Sequence, residues 1–285
     1  MDKDRKWPRL ALAVRWMMLV ALCVSMLGCK TIRVSESDFM RPDHRPDAAL
    51  REGQVIDRSM IETPDGRIAV TRISKPGNKV AVLYCGGNQF RTNVEGGRIS
   101  AALPASVDVV MFDYPGYGGS SGTPTVEGLM QAAILVYDLH MAGDGASYDR
   151  RAVYGVSMGG FMAAHVAAER SPEMLVLEGT APSVSELMRS LVPWFAKPFV
   201  SFEVDSRLSR IDNVSRLADF QGKVLLLVGE SDTQTRPSLM RRLRRDLENN
   251  GVDADLHVIP GRGHGNTMEH AGAREIVRDF LGEGP

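Results

Sequence analysis

The chain has 285 residues and a formal net charge of −1; 44% of its residues are hydrophobic and 24% are charged. This composition is ordinary for a globular protein, and the length suits one large α/β domain or two small ones. The near-zero net charge argues against a protein that binds nucleic acid or a polyanionic substrate.

The first thirty residues differ from the rest of the chain. Basic residues precede an apolar run from Trp16 to Leu27, which is shorter than the roughly 20 apolar residues of a membrane-spanning helix. A basic start followed by a short apolar core is typical of a secretory signal. The run ends in Gly28 and Cys29, and the sequence then turns polar. This order resembles a bacterial lipoprotein signal, in which the cysteine is lipidated and becomes the new N-terminus.

The resemblance implies that residues 1–28 are a signal peptide and that Cys29 carries a lipid. We therefore expect an exported protein of the bacterial cell envelope, held at a membrane by its N-terminus. Lys30 after the cysteine favours the outer membrane and periplasm by similarity to other lipoproteins. A plain membrane anchor and retention in the cytoplasm are the alternatives. Cys85 is then the one cysteine left unmodified, so no intramolecular disulfide is expected.

Residues 29–53 are polar and contain Pro42 and Pro46, which indicates a tether before the folded domain of residues 54–285. The domain opens with two β-patterned segments, Val55 to Glu62 and Arg67 to Ser74. The turn sequence Thr-Pro-Asp-Gly separates them and predicts an antiparallel hairpin.

Continuous apolar runs follow, of the kind that parallel strands buried on both faces show. They cover residues 80–84, 107–112, 152–156, 174–177 and 224–228. Helical patterns lie between and after them, at about 125–142, 158–170, 237–249 and 268–281. Alternation of strands and helices predicts an α/β fold with a mostly parallel, doubly wound sheet.

The segment from about residue 181 to 220 is longer than a crossover helix requires and is rich in apolar residues, among them Leu187, Met188, Leu191 and Trp194. We expect a small helical cap over the strand ends, where open α/β sheets bind ligands. A longer helical crossover packed on the sheet is the alternative.

Two Gly-x-Ser-x-Gly sequences compete for the role of nucleophile, one centred on Ser157 and the other on Ser120. Ser157 follows an apolar strand and precedes a strong helical run, the order found in a nucleophile elbow. The glycines two positions away on each side leave room for the sharp turn that exposes the hydroxyl. Ser120 instead lies in a glycine-rich loop, so Ser157 is the predicted nucleophile.

A serine hydroxyl needs a base to take its proton. His264 lies in a glycine-rich loop after the last strand, Asp255 to Ile259, and so reaches the same sheet edge as Ser157. Asp232 follows another strand end and is predicted to orient the histidine. Glu230 is the nearest competitor for that role, and Glu178 is a more distant one.

The reaction also requires backbone N–H groups directed at the developing oxyanion. One donor is expected to be the amide of Met158, directly after the nucleophile. The other is expected from the loop Cys85-Gly86-Gly87-Asn88-Gln89, with Asn88 as first choice and Gly87 as second.

Taken together, these residues resemble the α/β-hydrolase superfamily over roughly residues 54–283, and most closely its esterase and serine-aminopeptidase-like branch. The usual His-Gly-Asn after the third strand of that branch reads Gly86-Gly87-Asn88 here. The run Asp113 to Ser120 is similar to the Asp-Tyr-x-Gly-Tyr-Gly-x-Ser loop of the branch, which is structural and lines the pocket.

The resemblance implies a serine hydrolase, which we expect to cleave a small-molecule ester through an acyl-enzyme. The apolar residues of the cap segment suggest a hydrophobic acyl group, or else they form the core of the cap itself. No metal or organic cofactor is expected. Two alternatives stay open. One is a peptidase on the same scaffold, with Glu178, Glu186 or Glu203 binding the substrate amine; the other is a lipid-anchored binding protein without activity.

Overall fold

A mixed sheet of eight strands lies at the centre of the structure, a computed structural model that describes residues 30–35, 55–143, 148–192 and 200–282. The strands in chain order are β1 (Lys30–Val34), β2 (Val55–Thr63), β3 (Gly66–Ser74), β4 (Val80–Cys85), β5 (Val107–Phe112), β6 (Arg150–Val156), β7 (Met174–Glu178), β8 (Val200–Val204), β9 (Lys223–Gly229) and β10 (Ala254–Ile259). The main sheet has the order β10-β9-β7-β6-β4-β5-β3-β2. The antiparallel hairpin β2–β3 lies at one edge, and β4 to β7, β9 and β10 pair in parallel. The predicted fold class is therefore confirmed.

Helices cover both faces of this sheet. They are α1 (Thr92–Ala102), α2 (Val126–Tyr137), α3 (Gly159–Arg170), α4 (Val184–Leu191), α5 (Ser206–Ser209), α6 (Asn213–Arg216), α7 (Pro237–Asn249) and α8 (Ala271–Phe280). A π-helical turn, Asp138–Ala142, continues α2. Residues of α1 and α8 join one buried apolar cluster, whereas those of α2, α3 and α7 join another. The two covered faces explain why every residue of β4 and β5 is buried.

Helix α1 was not anticipated from the sequence. It contains two adjacent glycines, Gly96 and Gly97, and glycine costs about 1 kcal/mol relative to alanine inside a helix. Only four of its residues are buried, namely Thr92, Gly96, Ile99 and Ser100, so its apolar stripe is too weak to reveal the helix. Ile99 packs into the apolar cluster on one face of the sheet, and this packing stabilises a helix that its own residues favour only weakly.

The segment between β7 and β9 holds helices α4, α5 and α6 and strand β8. Strand β8 pairs in parallel with β1, and the two form a second sheet that is not hydrogen-bonded to the main one. Residues 30–34, which were expected to belong to a tether, therefore form a strand, and the alternation in Lys-Thr-Ile-Arg-Val suits one. Trp194 lies outside the described residues, as do the expected signal peptide and Cys29. Within the described part of the chain, no helix has the length and apolar character needed to cross a bilayer.

Ser120 has a structural role in the loop after β5. Its side chain is buried, and Oγ donates to the carbonyl oxygen of Asp113 at 2.6 Å while it accepts from the Ala69 amide at 2.8 Å. The hydroxyl thus ties the loop to β3. The second Gly-x-Ser-x-Gly sequence is a loop fastened to the sheet, as its context indicated.

We expect Ser120→Ala to lower the free energy of unfolding by about 1–3 kcal/mol, because it removes one donor and one acceptor from a buried network. Urea unfolding of the purified protein measures this. Ser238→Ala, at an exposed position of α7, serves as the control and should stay within about 0.5 kcal/mol of the wild type. Equal stability of the two variants would contradict the structural role of Ser120.

Candidate active site

Ser157 lies on a sharp turn between β6 and α3. Its φ is +55°, a left-handed value that few residues other than glycine adopt. The Ser157 amide donates to the Glu178 carbonyl at 2.8 Å, and the Gly160 amide donates back to the Ser157 carbonyl at 3.0 Å. These bonds hold a strained backbone, and strain of this kind concentrates at functional sites.

The flanking glycines are required because backbone passes very close to them. A Cβ at Gly159 would lie 2.0 Å from the carbonyl oxygen of Cys85 and 2.4 Å from that of Gly86. A Cβ at Gly155 would lie 2.5 Å from the Gly159 carbonyl oxygen. The turn can form only where both side chains are absent, and it therefore sits directly against the loop after β4.

The structure brings Ser157, His264 and Asp232 into one hydrogen-bonded row. His264 Nε2 lies 2.9 Å from Ser157 Oγ, and His264 Nδ1 lies 2.8 Å from Asp232 Oδ2. Ser157 follows β6, Asp232 follows β9 and His264 follows β10, so the parallel sheet delivers all three side chains to one edge. This is the arrangement in which an imidazole can take a proton from a serine while a carboxylate orients it.

The surroundings of Asp232 favour its ionised form. Its side chain is buried, and Oδ1 accepts from the Gln234 amide at 2.9 Å and the Thr235 amide at 2.8 Å. Burial by itself raises the pKa of Asp232, but the hydrogen bonds and charge attraction from His264 and the bonds from Thr235 outweigh it and hold the pKa below its usual value.

The two competing carboxylates have other partners. Glu230 accepts from the Gly261 amide at 3.1 Å. Glu178 is buried and accepts from the Tyr154 hydroxyl at 2.7 Å and the Thr267 amide at 3.1 Å. Glu178 therefore links the nucleophile strand to the loop that carries His264 and is not the partner of the histidine ring.

The loop after β4, which the sequence predicts to supply an oxyanion donor, lies against Ser157. A Cβ at Gly87 would be only 3.6 Å from the Ser157 Cβ, and Gly87, Asn88 and Met158 all line the same cavity as Ser157. The amides of Met158, Asn88 and Gly87 thus belong to the two backbone segments that border the hydroxyl.

The Asp113 to Ser120 loop supports the loop after β4 through hydrogen bonds. The Tyr114 hydroxyl donates to the Gly86 carbonyl at 3.0 Å, and the Tyr117 hydroxyl donates to the Asn88 side-chain Oδ1 at 2.9 Å. Both tyrosines are fully buried, and the guanidinium of Arg91 lies over the Tyr117 ring, 4.4 Å from its centroid. The loop therefore holds the Gly86 carbonyl and the Asn88 side chain, whereas the expectation that it also lines the pocket is wrong, because none of its residues is among those that line the cavity at Ser157.

A cavity of about 600 Å³ opens beside Ser157, within the range of small-molecule sites. Helix α4 supplies an apolar wall to it through Leu187, Met188 and Leu191. Helix α1 supplies Glu95 and Arg98, which form an ion pair, to another part of the lining. Part of the predicted cap segment thus borders the cavity.

The carboxylates that a peptidase was expected to use lie elsewhere. Glu186 pairs with Arg242 at 2.9 Å, and Glu203 pairs with Arg33 at 2.8 Å. Neither they nor Glu178 line the cavity. In the part of the chain that the structure describes, no group of three or more His, Cys, Asp or Glu side chains is placed to hold a metal ion.

Sequence reasoning missed the contributions of Glu95, Arg98 and Thr235. Nothing in their sequence context places Glu95 and Arg98 at a cavity, because helix α1 itself was missed. Thr235 carried a usable signal: it lies three residues after Asp232, within reach of the same carboxylate, and its hydroxyl accordingly donates to Asp232 Oδ2 at 2.8 Å.

Comparison with known proteins gives one family and several relatives in sequence. The sequence profile of the prolyl oligopeptidase family matches residues 128–282. An uncharacterised protein of Mycobacterium tuberculosis is 29% identical over 210 residues, which cover 73% of this chain and 71% of the relative. A human phosphatidylserine lipase is 26% identical over 210 residues, 73% of this chain but 36% of the lipase.

Solved structures share the fold. An esterase of Pyrococcus furiosus superposes with a TM-score of 0.67 at 16% identity, over 85% of this chain and 96% of its own. An α/β-hydrolase of Vibrio vulnificus superposes with a TM-score of 0.62 at 22% identity, over 78% and 80% of the two chains. At these identities the likeness concerns the fold.

The lowered pKa of Asp232 makes a prediction about acid stability. An ionised Asp232 stabilises the native state fully above the ordinary aspartate pKa, about 3.9, and this contribution is lost as the pH falls through the lower native value. Near neutral pH we expect the wild type to have a higher unfolding free energy than Asp232→Asn. In acid we expect the two unfolding free energies to converge. Urea unfolding at a series of pH values measures this, and a difference that is independent of pH would contradict it.

Proposed function

The chain belongs to the prolyl oligopeptidase family and is a serine hydrolase of the α/β fold, and we propose that it cleaves carboxylic esters through an acyl-enzyme on Ser157. The observation that carries the proposal is the row of hydrogen bonds from Ser157 Oγ through His264 to Asp232. The supporting evidence includes a cavity that opens at the serine and has an apolar wall.

In the acylation step, Ser157 Oγ attacks the ester carbonyl carbon while His264 Nε2 takes the hydroxyl proton. The carbonyl oxygen becomes an oxyanion, which accepts hydrogen bonds from the amides of Met158 and Asn88, with Gly87 as the second choice for the loop donor. Collapse of the tetrahedral intermediate breaks the bond to the alcohol, and His264 returns the proton to the leaving oxygen.

Deacylation repeats these steps with water. His264 removes a proton from the water molecule as the water oxygen attacks the acyl carbon. When the bond between the acyl carbon and Ser157 Oγ breaks, His264 returns that proton to Oγ, and the carboxylic acid is released. Asp232 stays ionised throughout and stabilises the imidazolium that forms in each half-reaction. No step requires a cofactor, because protein groups supply the nucleophile, the base and the oxyanion donors.

The cavity favours an ester with a hydrophobic acyl group. Leu187, Met188 and Leu191 form one apolar side, and the buried residues Phe90 and Val156 add to the lining. Burial of a methylene group is worth about 0.8 kcal/mol, so each carbon that reaches this wall improves binding. The human relative is named as a lipase of a phospholipid, which is an ester substrate of this kind.

Family membership keeps a peptidase as the second candidate, since the matching family is named for an oligopeptidase. The described residues give it less support than an esterase. Glu178, Glu186 and Glu203 pair elsewhere, and the cavity's Glu95 is already paired with Arg98.

We also propose that the chain is an exported lipoprotein, anchored through Cys29 with the outer membrane and periplasm favoured. The support is the basic and apolar order of residues 1–28 ahead of that cysteine. Strand β1 starts at the next residue and pairs with β8, so a lipid on Cys29 would lie close to the end of a folded element.

The nucleophile is tested with a fluorophosphonate probe. The wild type should be labelled and Ser157→Ala should not, because the substitution removes the attacking oxygen. Ser238→Ala, at an exposed position of α7, is the control and should label as the wild type does. Labelling of Ser157→Ala at the wild-type level would exclude the assignment.

p-Nitrophenyl esters of rising acyl length and aminoacyl anilides, assayed side by side, separate an esterase from a peptidase.

The anchor is tested by expressing the full chain in a Gram-negative host supplied with an alkyne-tagged fatty acid. The wild type should take up the tag and sediment with membranes, whereas Cys29→Ser should take up none. Cys85→Ser is the matched control, because that cysteine is buried, and it should keep the tag. Equal tagging of wild type and Cys29→Ser would refute the lipoprotein proposal.

A further inference from the structure

We propose that Thr235 is a positioning residue of the catalytic site, whose hydroxyl holds Asp232 and the His264 ring in the arrangement that proton transfer requires. The inference rests on the proposed function and deepens it. It assigns a role to a side chain outside the three residues that carry out the chemistry.

Three polar atoms, one from each of Thr235, Asp232 and the His264 ring, lie within hydrogen-bond distance of one another and form a triangle. Thr235 Oγ1 lies 2.8 Å from Asp232 Oδ2 and 3.1 Å from His264 Nδ1, and the latter two atoms lie 2.8 Å apart. Because the Thr235 amide also donates to Asp232 Oδ1 at 2.8 Å, this one residue contacts both carboxylate oxygens. Side-chain and backbone bonds from Thr235 together fix the plane of the carboxylate.

The hydrogen atoms can be assigned from the chemistry. His264 Nε2 must be unprotonated to accept the Ser157 proton, so the neutral ring carries its hydrogen on Nδ1 and donates it to Asp232. Nδ1 then has no lone pair to offer, and the single Thr235 hydroxyl hydrogen goes to Asp232 Oδ2. The Thr235 oxygen keeps its lone pairs, and at 3.1 Å one of them can face the Nδ1 hydrogen.

This arrangement matters most when the ring becomes charged. As Nε2 takes the serine proton, the positive charge spreads to the Nδ1–H group, which then has the carboxylate and the Thr235 oxygen as acceptors. Groups that are already oriented stabilise a developing charge without reorganising during the reaction. Thr235 therefore acts on the transition state through His264.

The backbone after β7 covers the triangle. A Cβ at Gly179 would lie 3.2 Å from Thr235 Oγ1, 3.3 Å from Asp232 Oδ2 and 3.5 Å from His264 Nδ1. Gly179 has a φ of +53°, and Thr235 and Asp232 are only 2% and 3% exposed. Backbone thus packs directly on the three polar atoms, and in such an enclosure their interactions are stronger than in water.

The test is the substitution Thr235→Val, which keeps the shape of the side chain and replaces the hydroxyl with a methyl group. We expect kcat for a p-nitrophenyl ester to fall about tenfold with KM nearly unchanged, and Thr235→Ser to restore kcat to within about twofold of the wild type. The Nδ1 proton resonance of His264 should also move downfield in the valine variant, because Asp232 Oδ2 loses its second donor.

Thr180→Val is the matched control. Thr180 is equally buried, and its hydroxyl has no hydrogen-bond partner among the described residues, so kcat and the proton resonance should stay at their wild-type values. If Thr235→Val does not fold, Thr235→Ser and Thr235→Ala make the same comparison, since they differ by one oxygen atom.

The proposal is overturned if Thr235→Val retains wild-type kcat and resonance, or if Thr235→Ser is as slow as Thr235→Val. The second result would mean that the threonine methyl group, and not its hydroxyl, is what the site needs. Both results presuppose an active wild type. A wild type that turns over no ester and takes no probe would instead refute the proposed function.

Discussion

The close contact between the turn at Ser157 and the loop after β4 is the constraint on which the site depends. Two carbonyl oxygens of that loop occupy the space where a side chain at Gly159 would be, so the turn and the loop can only be built together. The same contact places Gly87 against the nucleophile. A substitution at Gly159 would therefore disturb the hydroxyl and its neighbouring amides together, although it touches neither directly.

Buried polar groups extend this constraint outwards. Tyr114 and Tyr117 hold the loop after β4, and Ser120 connects the loop that contains those tyrosines to β3. On the other side, Glu178 joins the nucleophile strand to the His264 loop. Buried polar networks in which every group is paired specify one geometry, since each alternative leaves a polar atom unsatisfied. The groups that support the site are polar and buried.

Much of this could be predicted from the sequence because the relevant signals are local or follow chain order. The strand before Ser157 and the helix after it separated that serine from Ser120, and placement after strands β9 and β10 selected Asp232 and His264. Helix α1 was missed because adjacent glycines hide it, and with it the Glu95–Arg98 pair. The contact of Thr235 with His264 joins residues 29 positions apart, and only the fold brings them together. The three candidate catalytic residues thus follow from the order of elements, whereas the residues that support them depend on packing between those elements.

The pairing of β1 with β8 has a consequence for orientation in space. A loose chain from Cys29 to Val55 would allow the domain to move up to about 85 Å from its attachment point, at about 3.3 Å for each extended residue. Because residues 30–34 pair with β8, the domain is attached to the chain at Lys30, and it could not move away from Cys29 in this way. A lipid on Cys29 would then act as a pivot at the domain surface. Helix α4 contacts β8 and also lines the cavity at Ser157. The mouth of this cavity would therefore face a restricted range of directions relative to the bilayer.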